Sequence, residues 1–109
     1  MVYNGIITWF HRQDFGTQPC QVKILGEVIR VDCLANTTFD TATWEGFEAG
    51  LGHYLLHCED GGEATLHKVP SKLSLEGHCN ENYSGGNWMW QIDLTEPIVK
   101  ESKIVGKKK

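Results

Sequence analysis

His53-Tyr54-Leu55-Leu56-His57-Cys58-Glu59-Asp60-Gly61-Gly62-Glu63-Ala64-Thr65-Leu66-His67-Lys68-Val69-Pro70-Ser71-Lys72-Leu73-Ser74-Leu75-Glu76-Gly77-His78-Cys79 is the stretch that decides the fold of this chain. Tyr54, Leu56 and Cys58 alternate with His53, Leu55, His57 and Glu59, and Ala64 and Leu66 alternate with Glu63, Thr65 and His67. A period of two is the signature of a strand with one buried face. Asp60-Gly61-Gly62 and Pro70-Ser71-Lys72 break the runs with turn residues. A three-residue loop at 60–62 places Glu59 opposite Glu63, His57 opposite Thr65 and Leu55 opposite His67. A four-residue loop at 69–72 places Leu66 opposite Leu75 and Glu63 opposite His78. Tyr54, Leu56, Cys58, Ala64 and Leu66 then share the core face, because a one-residue slip would turn every side chain over.

Downstream, Asn82 to Asn87 makes a glycine-rich turn, and Trp88, Trp90, Ile92 and Leu94 form the apolar side of a final strand, stopped by Pro97. Upstream, residues 2–10 are rich in β-branched and aromatic types, and residues 20–25 and 28–34 read as strands joined around Gly26-Glu27. Residues 40–51 differ. Trp44, Phe47 and Leu51 fall at i, i+3 and i+7, and Asp40 stands where a helix cap belongs, so a short helix is expected there. Gly46 and Gly50 weaken it by about 1 kcal/mol each relative to alanine. The expectation is a mainly β, antiparallel barrel or sandwich of about seven strands with one short helix.

Size and charge narrow the picture further. A chain of 109 residues makes one domain, here residues 1–99, and can fold without staples. The net charge of −4 is uneven. Residues 100–109 hold Lys100, Lys103, Lys107, Lys108 and Lys109 against Glu101, a basic tail of +4 on a body of −8. An acidic body repels a phosphate backbone, so nucleic acid is not the expected partner. No apolar run approaches the roughly 20 residues of a membrane helix. Met1-Val2-Tyr3-Asn4-Gly5 has no basic or apolar leader region, so the expected location is the cytoplasm and no membrane is expected as a partner.

Two groups of residues could carry chemistry. His53, His57, His67 and His78 fall on one sheet face with Glu59, Glu63 and Glu76. Imidazole and carboxylate suit a divalent metal, so His53, His57, His67, His78 and Glu63 are the candidate ligands. A solvated polar face is the simpler reading, and no cofactor is required. Trp9, Trp88, Trp90 and Trp44 are candidates to line a small-molecule site, or to form core. Cys20, Cys33, Cys58 and Cys79 show no C-x-x-C spacing and read as reduced, buried thiols. There is no G-x-S-x-G elbow, P-loop, G-x-G-x-x-G or H-E-x-x-H, so no motif nominates an enzyme.

Gly5-Ile6-Ile7-Thr8-Trp9-Phe10-His11-Arg12-Gln13-Asp14-Phe15-Gly16 resembles the opening of a cold-shock domain, with a spacing one residue short and Asp14 in place of a glycine. That resemblance implies that Trp9, Phe10 and Phe15 stack on single-stranded bases. Gly86-Asn87-Trp88 is similar to the G-x-W triplet of lipocalin-like barrels, where it opens the first strand rather than the last. The function expected is that of a binding or interaction module, as a homodimer. The alternatives are a small-ligand barrel lined by tryptophans, a metal-binding or histidine-based enzyme, and a single-strand nucleic-acid binder.

Overall fold

A computed structural model of the chain describes residues 1–11, 14–59, 61–80 and 87–97. It contains eight strands: β1 (Val2–His11), β2 (Asp14–Leu25), β3 (Val28–Cys33), β4 (Ala42–Gly50), β5 (His53–Cys58), β6 (Glu63–Lys68), β7 (Ser74–Asn80) and β8 (Asn87–Pro97). Each pairs antiparallel with the next, and β8 returns to pair with β1, closing a barrel. Closure removes the two exposed edges that an open sheet or a sandwich would leave. Among the described residues no helix is long and apolar enough to cross a membrane.

Alternation holds round the barrel. Ile7, Trp9, Val22, Ile29, Val31, Trp44, Tyr54, Leu56, Leu66, Leu75, Trp90 and Ile92 point inward and are buried. The Gly26-Glu27 hairpin forms as expected, with Leu25 opposite Val28 and Gly26 at φ 62°. On the outer wall, Arg30 Nε donates to both carboxylate oxygens of Asp32 at 3.0 and 3.2 Å. Thr43 Oγ1 on β4 donates to the same Asp32 carboxylate, tying β3 to β4.

The helix expected at 40–51 is not formed, and β4 takes its place, which raises the strand count from seven to eight. A strand sends residues three apart to opposite faces. Accordingly Trp44 is buried inside, Phe47 is exposed outside and Leu51 lies in the turn beyond. The spacing fitted a helix, but pairing with β3 and β5 satisfies this backbone, and two glycines leave too little helix propensity to compete.

Both hairpin loops keep their expected length and slide back or forward by one residue. The first runs from Glu59 to Gly61: Cys58 N–H donates to Gly62 O at 2.9 Å, and Gly61 takes the positive φ. His57 therefore faces Glu63, Leu55 faces Thr65 and His53 faces His67. The second loop runs from Pro70 to Leu73, with Ser71 at φ 65°, so Lys68 faces Leu75 and Glu63 faces Asn80. Each pairing moves by two residues, an even number, so every side chain stays on its expected face. The turn at 82–87, apart from Asn87, and the tail at 100–109 lie outside the described residues.

Two glycines shape the wall. A Cβ on Gly46 would lie 1.7 Å from Leu55 O, and one on Gly77 would lie 1.9 Å from Thr65 O. At these points a neighbouring backbone leans inward, a bend that glycine permits in a small barrel. The Thr65 carbonyl is taken up by the Trp90 indole N–H at 3.0 Å.

Candidate functional site

The strand ends at His11, Cys33, Cys58 and Asn80, with the strand starts at Asp14, Ala42, Glu63 and Asn87, form one mouth of the barrel. Beneath it the interior is filled. Trp9 and Trp90 are direct partners on β1 and β8, stacked with centroids 4.9 Å apart, and Trp44 tilts against Trp90 at 5.4 Å. Trp88 stands edge-on to Trp9 at 6.4 Å, and the His11 imidazole stacks on Trp88 at 4.5 Å. An edge-to-face pair is a favourable arrangement, and it leaves Trp88 half-buried at the rim.

Gln18 organises the rim. Its side chain is buried, accepts from the Trp9 indole N–H at 3.0 Å, and donates to Leu34 O at 3.1 Å and Asp40 O at 2.7 Å. Both ends of the loop between β3 and β4 are thereby pinned to the barrel wall. Asn36 braces the middle, donating to Thr17 O while its own side-chain oxygen accepts from Thr38 and Phe39 N–H. Such an Asx turn is the habit of an asparagine beside threonines. Phe39 folds back over Gly16, where a Cβ would come within 2.9 Å of its ring. Between this loop and the aromatic floor lies a recess of about 320 Å³, lined by Trp9, Trp44, Trp88, Phe39, Gln18, Cys33, Asp40, Thr41 and Ala42.

Three of the four predicted tryptophans therefore meet at one recess. Trp90 is not among the residues lining it and is buried as core. Gln18 and Phe39 were not singled out in the sequence, and Asp40 was read there as a helix cap rather than as part of a recess. The Asn36-Thr37-Thr38 run was the signal that could have marked the loop, whereas nothing local marks Gln18.

The histidine face divides. His53 and His67 face each other with centroids 5.8 Å apart, and His67 Nε2 approaches Glu76 Oε1 at 3.9 Å. His57 stands opposite Glu63, four residues along β5 from His53, a rise of about 13 Å. His78 lies two strands away, with its backbone N–H on Thr65 Oγ1 at 3.4 Å. The outer wall of a barrel is convex and spreads these groups. Among the described residues no three His, Cys, Asp or Glu side chains draw together as a metal ion requires.

None of the four cysteines forms a disulfide, and Cys20 and Cys33 are directly opposed on β2 and β3 with both side chains inward. Burial pushes the Cys20 thiol up to about 12 and, with Cys20 beside it, raises Cys33 as well. Thiols held protonated in this way are poor nucleophiles. The aromatic trio of the cold-shock resemblance is split between faces. Trp9 is buried inside and cannot stack on a base, while Phe10 and Phe15 are exposed outside.

No protein-family model, curated protein or solved structure matches this chain. At the mouth recess the half-buried Trp88 and Phe39 lie over the buried Trp9 and Trp44, beside the loop that Gln18 braces.

Proposed function

We propose that this protein is a binding module that receives a small, flat, largely apolar ligand at the barrel mouth. The observation that carries the reading is the 320 Å³ recess walled by Trp9, Trp44, Trp88 and Phe39. Ligand sites are concave, mostly apolar, fixed by a few polar groups, and common in barrel mouths. Gln18 spends its polar atoms on the wall and loop, so the recess is held open by its scaffold before any ligand arrives. Such preorganisation lowers the entropic cost of binding. Other hollows suit the reading less. One of about 980 Å³ is lined mostly by polar side chains around Arg30, Asp32 and Glu45. Another, of about 460 Å³, sits on the outer wall over Leu55 and Thr65.

The test is titration with 2-phenylethanol, followed by tryptophan fluorescence and calorimetry. Saturable binding is expected, weakened about tenfold by Trp88→Ala, which removes one aromatic wall. Ala42→Phe, which fills the recess, is expected to abolish it. Binding that survives Ala42→Phe unchanged, in a variant with native circular dichroism, would overturn the reading.

A second reading, as a homodimer, rests on a separate observation. Leu25, Val28, Phe47 and Leu55 are successive cross-strand partners, all outward and exposed. The row continues through Thr65 and His78 to Met89, Phe10 and Phe15, reaching β2 again ten residues from Leu25. Phe10, Met89 and Phe15, direct cross-strand partners, make an apolar patch of the type that seeds an interface. Light scattering is expected to give twice the 12.3 kDa chain mass, and Phe15→Asp to return it to one chain. A single-chain mass for the unsubstituted protein at high micromolar concentration would refute the dimer. Cysteines that form no disulfide suit a reducing compartment, which supports a cytoplasmic location within the same proposal.

A further inference from the structure

We infer that the mouth recess selects an organic cation: an ammonium group carried on a flat apolar body. This rests on the reading of the recess as a ligand site and adds the chemical class of the ligand. Two independent features of the mouth converge on it. The first is the wall. The half-buried Trp88 and Phe39 line one small space backed by the buried Trp9 and Trp44, and the negative face of an aromatic ring attracts a cation, tryptophan most strongly. Neutral apolar ligands need only a greasy surface, which leucine or valine supplies as well. Indoles concentrated at this rim provide the electrostatic attraction that aliphatic residues lack.

The second feature is the charge around the opening. Asp40 lines the recess and is exposed, and no lysine or arginine appears among its described lining residues. Asp14, Glu59 and Glu63 stand on the surrounding strand ends and turns, again without a lysine or arginine among the described residues there. The barrel's opposite end carries Lys23, Lys68, Lys72 and the N-terminal amine, alongside Glu27, Glu48 and Asp93. The hollow at that end places Lys68 and Lys72 among mainly apolar side chains. Among the described residues the mouth is the more negative end, which favours the approach of a cation over that of an anion. The Asp40 carboxylate is free to serve as counter-ion, because the contact that fixes this residue to Gln18 uses its backbone oxygen.

The experiment compares 2-phenylethylammonium, its neutral counterpart 2-phenylethanol and the anion 3-phenylpropionate, by calorimetry on the full chain at low and moderate salt. The ammonium ion is expected to bind about tenfold more tightly than the alcohol, with the propionate weakest. Asp40→Asn keeps the backbone contact and is expected to remove most of the preference for the ammonium ion over the alcohol. Added salt is expected to narrow the preference in the same direction. Equal binding of ammonium ion and alcohol would overturn the cation inference and leave the ligand site standing. Failure of all three probes to bind would overturn both.

Discussion

Trp90→Ala is expected to lower the unfolding free energy by about 3–5 kcal/mol, the range for emptying a large aromatic from a core. A domain of this size has only about 5–15 kcal/mol in total. Trp90 is buried between Trp9 and Trp44, so its removal strips a contact from both neighbours. It also leaves the Thr65 carbonyl, turned into the barrel by the bend at Gly77, without its indole donor. Urea denaturation followed by circular dichroism measures the loss. Trp90→Phe separates the two contributions, since it keeps most of the ring and removes the N–H, at an expected cost of about 1–3 kcal/mol. A loss below about 1 kcal/mol for Trp90→Ala, an ordinary value for any substitution, would show that Trp90 is not the keystone of this core.

Gly46→Ala is expected to destabilise the barrel by about 3 kcal/mol or more, the upper range for forcing extra volume into a packed site. The clash is with backbone, since the added carbon would fall 1.7 Å from Leu55 O, and no side-chain rotation can relieve it. β4 and β5 would have to part at the point where the wall bends. Gly50→Ala is the internal control. It lies at the end of the same strand with nothing within 4 Å of an added carbon, and its change is expected to stay within about 0.5 kcal/mol. Equal effects at the two positions in denaturant titrations would refute the bend as the reason for glycine at 46.

These two positions also show where the sequence was legible. Inward and outward alternation was readable from Tyr54, Leu56, Ala64, Leu66 and Leu75, because a pleated strand repeats every two residues whatever its partner. Pairing register was less legible. The loop lengths were right, but which glycine of Gly61-Gly62 takes the positive φ depends on the hydrogen bond from Cys58 N–H to Gly62 O, and that settles only when both strands are in place. The segment at 40–51 misled because three apolar residues at helical spacing are indistinguishable from three residues of a strand that faces core, solvent and turn in succession. Gly46 looked like a weakness in a helix. In the barrel it is the residue that lets Leu55 O approach.

At the mouth, the sequence supplied the tryptophans without their roles. Trp9 and Trp90 stack because β8 closes on β1 across some 80 residues of chain, and local pattern carries no information about a pairing so distant. Gln18 is an unremarked polar residue until β2 places it under the ends of the β3–β4 loop. The histidines were correctly gathered on one outer face, yet the curvature that spreads them belongs to the closed sheet. The sequence by itself determined the mainly β class, the core face of each strand in the second half and the acidic character of the body, all of which follow from local periodicity and composition. Tertiary structure alone decided barrel over sandwich, strand over helix at 42–50, and which tryptophans line a recess rather than fill the core. Those outcomes depend on non-local backbone pairing, whose hydrogen bonds and close contacts exist only after distant strands have met.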